Sequence, residues 1–497
     1  MERSALRDGI QTMWRQQAVP ALQEYVAIPA LSPSFDAAWK SHGHVTKAVG
    51  LLTEWAAQLG LSGTSVTVHE LPERTPVIVV TVDAYRAAAA SDSADDDHTT
   101  VSEATVLMYG HLDKQPEMEG WLPGLSPWTP VITDDKLYGR GGADDGYALF
   151  ASLTAIRSLQ TKGGSHSRIV LVIESSEESG SPDLAEHIQV LAPTIGSVEL
   201  VICLDSGCAT YDRLWTTTSL RGMAQVTFTV RVLTEGVHSG AAGGVVPSTF
   251  RIARALLDRL EDPLTGELRL PELNVAIPPA TEAAARNTAA LLGDDWAERN
   301  YPWVNSTCGH RANATADTHQ HLLDRTWRSA FEVTGADGLP PTAKAGNVLR
   351  PHTTLSLALR LPPTTDTDLA VAAVKRALTT DVPYGATVEI DTDAAAGWAA
   401  PPLAGWLSDT LDDASMAAWG QSHRSMGEGG SIPFMAMLAT RFPDAQFAVA
   451  GVLGPGSNAH GPNEFLHLGY AERLTEAVAH VLHSHEAHRA NGDRHAN

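Results

Sequence analysis

The chain is short of cysteine, of basic charge and of long apolar runs, and each shortage removes a class of protein. Cys203, Cys208 and Cys308 are its three cysteines in 497 residues. So sparse and odd a set makes neither a disulfide framework nor a cysteine-based zinc site, and it suits a reducing cytoplasm. Lysine and arginine number 35 against 58 aspartates and glutamates, for a formal net charge of -23. That balance repels phosphate backbones and anionic bilayers, so neither nucleic acid nor membrane is expected as a partner. No run of about 18 apolar residues occurs, so no membrane-spanning helix is expected. The N-terminus, Met1-Glu2-Arg3-Ser4-Ala5, opens an amphipathic helix without an apolar signal core, so no secretory leader is expected. The glycine pairs at 141–142, 243–244 and 429–430 lack the spacing of a phosphate-binding loop.

What is present points to an enzyme. Apolar residues make up 43% of the chain, ample for two or three domains with sizeable cores. Four short apolar runs, at 105–109, 168–174, 198–204 and 446–453, read as buried strands. Each is followed by acidic or histidine residues. Gly110-His111-Leu112-Asp113 follows the first, Glu177-Glu178 the second, Asp205 the third, and Gly454 to His460 the fourth. Asp144-Asp145 follows a glycine-rich turn, Gly139-Arg140-Gly141-Gly142, and precedes a helix predicted from Tyr147 to Leu159. Open α/β sheets place their active sites beyond the carboxyl ends of their strands. Histidine with aspartate and glutamate is also the donor set that suits a pair of divalent ions.

Singly, each piece has an ordinary explanation. A His-x-Asp after a strand is most often a hydrogen-bonded loop pair. Adjacent glutamates commonly start a solvated helix, where they favour the dipole. Asp144-Asp145 could cap the helix that follows. The occurrence of all of them, in order and after strands, favours a metal site. The i, i+2 spacing puts His111 and Asp113 on one side of an extended segment. Asp113 is thus expected to accept the second N–H of His111. Glu177 and Glu178 are adjacent and cannot easily serve one ion together, so one is expected as a ligand and the other as a general base.

These segments together resemble the M20 family of co-catalytic metallopeptidases, from about residue 10 to about residue 485. The resemblance implies that His111 and Glu178 serve different ions, as do Asp205 and His460, while Asp144 bridges both. It implies Asp113 as the residue orienting His111 and Glu177 as general base. Glu235-Gly236-Val237-His238-Ser239-Gly240 is similar to the family's lid histidine motif, so His238 is expected to steady the substrate carbonyl. Arg360-Leu361-Pro362 resembles the segment whose arginine holds a substrate carboxylate. Glu428-Gly429-Gly430-Ser431 resembles the substrate-facing turn. Trp121 and Tyr138-Gly139-Arg140-Gly141 also fit. The chain departs from many relatives at Asp144-Asp145-Gly146-Tyr147, which lacks a lysine. The implied cofactor is two divalent ions per chain, Zn²⁺ by default, with Mn²⁺ or Co²⁺ accepted by the same donors. The implied reaction is hydrolysis of the amide bond of dipeptides or short peptides. A deacylase of N-acyl amino acids and a catalytically silent binding protein on the same fold are the alternatives.

The organisation expected is an α/β catalytic domain with a mostly parallel sheet, interrupted by an α+β lid. Residues 1–215 and 395–497 are expected to form the catalytic domain and 216–394 the lid. Alternating patterns at 223–233 and 353–361 predict half-exposed lid strands. Helices are predicted after Pro247-Ser248 and over 366–379. In the family the lid carries a homodimer interface. Residues 84–103, with Asp95, Asp96 and Asp97, read as an acidic surface loop. The histidine-bearing tail from His483 onward reads as a disordered end.

Overall fold

The computed structural model describes residues 2–87, 104–301, 303–304 and 317–496. Asp95, Asp96 and Asp97 of the expected acidic loop, and Cys308, lie outside them. The chain folds as two compact units. The first comprises Met1–Thr217, Ala400–Ser425 and Met437–Asn497, and the second Thr218–Ala399 and Met426–Ala436.

The first unit is built on a six-stranded sheet. Its order is Thr64–His69, Val77–Val82, Arg168–Glu174, Ala104–His111, Ser197–Cys203, Gln446–Val449. Val77–Val82 runs antiparallel to both of its neighbours. Ala104–His111 is parallel to Arg168–Glu174 and Ser197–Cys203, and Gln446–Val449 is parallel to Ser197–Cys203. These four strands are mostly apolar and buried because helices cover the faces of parallel sheets. Ala104–His111 is buried along its whole length. The four end at one edge of the sheet, so the segments after His111, Glu174, Cys203 and Val449 leave from the same side. The helix Tyr147–Thr161 is buried over most of its turns and packs on the long helix Leu468–Ala496.

The tail is not the disordered end that its polar composition suggested. Leu468–Ala496 is one helix. His485 is buried, with Nδ1 2.9 Å from Ser167 Oγ and Nε2 3.3 Å from Glu199. His483 Nδ1 accepts from the Ser165 amide at 3.1 Å. Polar partners some 300 residues away supply what an apolar stripe would otherwise signal.

The second unit holds a four-stranded antiparallel sheet, ordered Ala330–Asp337, His352–Leu361, Gly222–Arg231, Thr387–Ala395. Burial alternates strictly along the two central strands, as their sequence pattern predicts. Their inward side chains, Val226, Phe228, Leu357 and Leu359, pack with Ile252 and Leu256 of helix Thr249–Leu257 and with Val374 and Leu378 of helix Thr367–Thr379. Truncating such a residue as Phe228 to alanine costs about 3–5 kcal/mol. Ser248 and Asp366 cap the two helices, accepting from the amides of Arg251 and Leu369.

Met426–Ala436 belongs to this second unit, whereas the sequence pattern put everything after residue 394 in the first. The cause is a set of long-range ties. Arg221 donates from Nε to the Gly429 carbonyl at 3.0 Å and from its backbone to the Gly430 carbonyl at 3.1 Å. Arg325 pairs with Glu428. No periodicity announces such contacts.

Candidate metal centre

Local geometry explains how each acidic or histidine side chain reaches the edge of the sheet. Gly110 has to be glycine, since a Cβ there would come within 2.6 Å of both Ala148 Cβ and Asp145 Oδ2. That close approach lets His111 end its strand against the turn carrying Asp144 and Asp145. Neither aspartate caps the helix that follows, which begins at Tyr147 after the N-cap residue Gly146 with no side-chain cap. The Asp144 carboxylate is therefore free for another role. Asp145 accepts from the His111 amide at 3.3 Å.

Asp113 works differently from the expectation drawn from spacing. His111 Nδ1 lies 3.1 Å from the backbone oxygen of Asp113 and 3.5 Å from its Oδ1. The carbonyl is the better placed acceptor. The carboxylate instead accepts from the amides of Glu177 and Glu178, each at 3.0 Å. Those amides open the short helix Glu177–Ser179 and have no partner within it. Asp113 thus fixes the backbone that presents both glutamates. Buried Glu174, unmarked by any sequence signal, braces the same turn, accepting from Ser176 Oγ at 3.3 Å and Ser181 Oγ at 2.8 Å.

The donor atoms gather in two groups, one of His111, Asp144 and Asp205, the other of Asp144, Glu178 and His460, with each group's atoms within 4.8 Å of one another. His111 Nε2 is 3.4 Å from Asp144 Oδ1 and 4.0 Å from Asp205 Oδ1. His460 Nε2 is 3.0 Å from Asp144 Oδ2 and 3.4 Å from Glu178 Oε2. One oxygen of Asp144 therefore faces each group. Donors bound to one tetrahedral ion at about 2.1 Å lie roughly 3.4 Å apart, so these separations fit an ion in each group. His111 Nε2 is also buried with no hydrogen-bond partner, which is costly for a ring nitrogen unless a cation or proton occupies that direction.

The electrostatics agree. Burial pushes Asp205 up to about 6 and, with the Asp144 charge, Glu178 up to about 8. Burial and the Asp205 charge hold Glu177 well above the usual carboxylate range. Burial works against ionised Asp144 too, but His111 and His460 hold it low. His460 rises to about 9, chiefly through Asp144. Carboxylates this crowded need positive charge among them, and without metal the two imidazoles supply it as protons. Glu177 stands apart from both groups, and its carboxylate accepts no hydrogen bond from the described residues.

The second unit holds the remaining expected residues. His238 ends the short strand Val237–His238 and is exposed. Its Nδ1 accepts from the Ala241 amide at 3.3 Å, which leaves the ring proton on Nε2. Arg360, in strand His352–Leu361, is half-buried and donates from Nη1 to Ser431 Oγ at 3.1 Å. The carbonyls of Gly429 and Gly430 are held by Arg221. Arg221 and Arg325 were not singled out from the sequence, and a lone arginine carries no signal that could have found them.

Comparison with known proteins gives the family. Residues 107–484 match the family profile described as peptidase family M20/M25/M40. The chain belongs to that family and is a metallopeptidase. It is 28% identical, over 377 residues, to cysteinylglycine-S-conjugate dipeptidase of Corynebacterium striatum, a match covering 74% of this chain and 79% of that protein. The fold is similar to that of the dipeptidase Dug1p from Saccharomyces cerevisiae, with a TM-score of 0.74 and 20% identity over 98% of this chain and 99% of that one. Human carnosine dipeptidase 1 gives a TM-score of 0.74 at 19% identity, over 96% and 98% of the two chains. At these identities the structural likeness is one of fold. No described helix is long and apolar enough to cross a membrane.

Proposed function

We propose that the protein is a dinuclear metal-dependent dipeptidase. The observation that carries this reading is the pair of donor groups sharing Asp144, with the unpartnered His111 Nε2 directed into one of them. His111, Asp144 and Asp205 would hold one divalent ion and Asp144, Glu178 and His460 the other. Zn²⁺ is the default, and Mn²⁺ or Co²⁺ suit the same donors. Bound there, such ions polarise a carbonyl and lower the pKa of a coordinated water toward about 7.

The chain's own groups supply the remaining steps. Glu177, whose carboxylate accepts no hydrogen bond from the described residues and is held above the usual carboxylate range by burial, takes a proton from the attacking water and returns it to the leaving amine. Asp113 keeps it in place through the backbone. His238 offers Nε2–H to the oxygen that becomes negative, a role in which one donor is worth roughly 3–4 kcal/mol. Arg360 has N–H groups to spare beyond Ser431 and suits a substrate carboxylate. The Gly429-Gly430-Ser431 turn meets it through Ser431. Dipeptides and N-acyl amino acids both carry a free carboxylate next to the scissile amide, and the dipeptidases among the relatives favour the first. The exposed outer strands Ala330–Asp337 and Thr387–Ala395 support a homodimer formed through the second unit. Cys203 and Cys208 are both buried, in keeping with a cytoplasmic home.

The test is a panel of dipeptides and N-acetyl amino acids, offered to protein stripped of metal and then reloaded with Zn²⁺ or Mn²⁺. Metal-dependent cleavage of dipeptides is expected. Cleavage of acyl amino acids alone would make the protein a deacylase. Two ions bound without any hydrolysis would favour a silent binding protein.

A further inference from the structure

Arg140 and Glu464 form a buried ion pair that the chemistry above does not use. Their side chains are 1% and 0% exposed, and Arg140 Nη1 donates to Glu464 Oε2 at 2.6 Å. What else the two hold is informative. Arg140 donates from Nη2 to the carbonyl of Gly461, the residue after His460, at 2.8 Å. It donates from Nε to the carbonyl of Pro116, in the segment leaving Asp113, at 3.1 Å. Glu464 Oε1 accepts from the amides of Gly141 and Ala143 at 3.0 and 3.3 Å, and Ala143 precedes Asp144. The Glu464 carbonyl accepts from the Gly139 amide at 3.0 Å. Arg140 thus reaches from the Asp144 turn to the backbone of the His460 turn, and Glu464 reaches back the other way.

The His460 turn needs such support. Asn458, His460 and Asn463 all have φ in the left-handed region, at 53°, 64° and 64°, without being glycine. Such conformations persist only where the surroundings over-determine them. The His460 side chain is 56% exposed and, among the described residues, meets only Asp144 and Glu178 in ion-pair range. Packing therefore does not place it, and its backbone must. His111 and Asp205 differ, since one ends a central strand and the other lies two residues beyond the strand Ser197–Cys203.

We propose that Arg140 and Glu464 are positioning residues for the metal centre, fixing the His460 turn against the Asp144 turn and so setting the geometry of the Asp144, Glu178 and His460 group. The proposal rests on the two-ion reading. It predicts a selective effect: disturbing the pair weakens the ion held with His460 and spares the ion held with His111 and Asp205.

The test is calorimetric titration of metal-stripped, full-length protein with Zn²⁺. The wild type is compared with Glu464→Gln, which keeps shape and removes charge, and with Arg140→Lys, which keeps charge and removes the fork. His460→Ala marks outright loss of that ion. Thermal unfolding of each metal-free variant separates folding from binding, and Glu464→Gln decides alone if Arg140→Lys does not fold. One equivalent is expected to bind with wild-type affinity and the other roughly 10–100-fold more weakly, as for partners that orient metal ligands. Two equivalents at wild-type affinity in a folded, less stable variant would make the pair merely structural. Equal weakening of both ions would also overturn the proposal. A wild type that binds no second ion would overturn the two-ion reading, and this inference with it.

Discussion

The two units prepare their chemistry in opposite ways. In the first, carboxylates of one sign are crowded together under burial, with two histidines among them, so that the site is costly unless positive charge enters it. In the second, His238 and Arg360 each make a single side-chain hydrogen bond among the described residues and keep further donors accessible. The first arrangement suits permanent ligands, and the second suits a substrate that comes and goes. The difference teaches where to look for each kind of residue: ligands converge in space and perturb one another, while substrate contacts stand alone and half-satisfied.

That contrast can be broken by substitution. The largest effect is expected at Asp144, whose two oxygens face the two donor groups. Asp144→Asn should lose both ions and turnover together, read by metal analysis of the purified protein. Retention of two ions would remove its bridging role. Glu177→Gln should lower turnover on the order of 10²–10⁴-fold with both ions still bound, since the carboxylate lies outside both groups. Unchanged turnover would sink its assignment as base.

His238→Ala sharpens the comparison from the other side. It should reduce kcat about 10²–10³-fold without changing metal content, because the residue belongs to neither group. Loss of metal would instead make it a ligand. Arg360→Ala should act mainly on KM, raising it roughly 10–100-fold, the range expected for a charge-assisted hydrogen bond. A dipeptide amide lacking the free carboxylate should then show little difference between wild type and variant.

The smallest effect concerns the terminal helix. Burial works against the ionised form of Glu476, but His480 and Arg7 hold its carboxyl below the usual range. A lowered carboxylate stabilises the fold fully above its unfolded pKa, and that contribution is lost as pH falls through the folded value. Helix Leu468–Ala496 should therefore loosen in acid before the sheet does, and Glu476→Gln should flatten that dependence. Hydrogen exchange between neutral and acid pH would show it. An unchanged profile in Glu476→Gln would count against the pairing.

Much of this was legible in the sequence because strands announce themselves. The apolar runs at 168–174 and 198–204 correspond to Arg168–Glu174 and Ser197–Cys203, and the residues just beyond them are those brought together. The alternation at 353–361 likewise found His352–Leu361. What escaped is contact across long sequence separation. The Arg140–Glu464 pair spans 324 residues, and nothing in either neighbourhood signals the other. The role of the Asp113 carboxylate depended on which atoms face which amides, a matter of an ångström that spacing does not encode. The helical course of the tail from His483 was missed because the partners there, Ser165, Ser167 and Glu199, are polar, so burial left no apolar stripe to read beyond Leu482.

The most direct test of the account is stoichiometric reconstitution. Metal-stripped protein would be titrated with Zn²⁺ while hydrolysis of a dipeptide is followed. The account predicts no turnover without metal, a maximum at two equivalents per chain, and none at any ratio in Asp144→Asn. Full activity in the stripped protein, or a plateau at one equivalent, would contradict it.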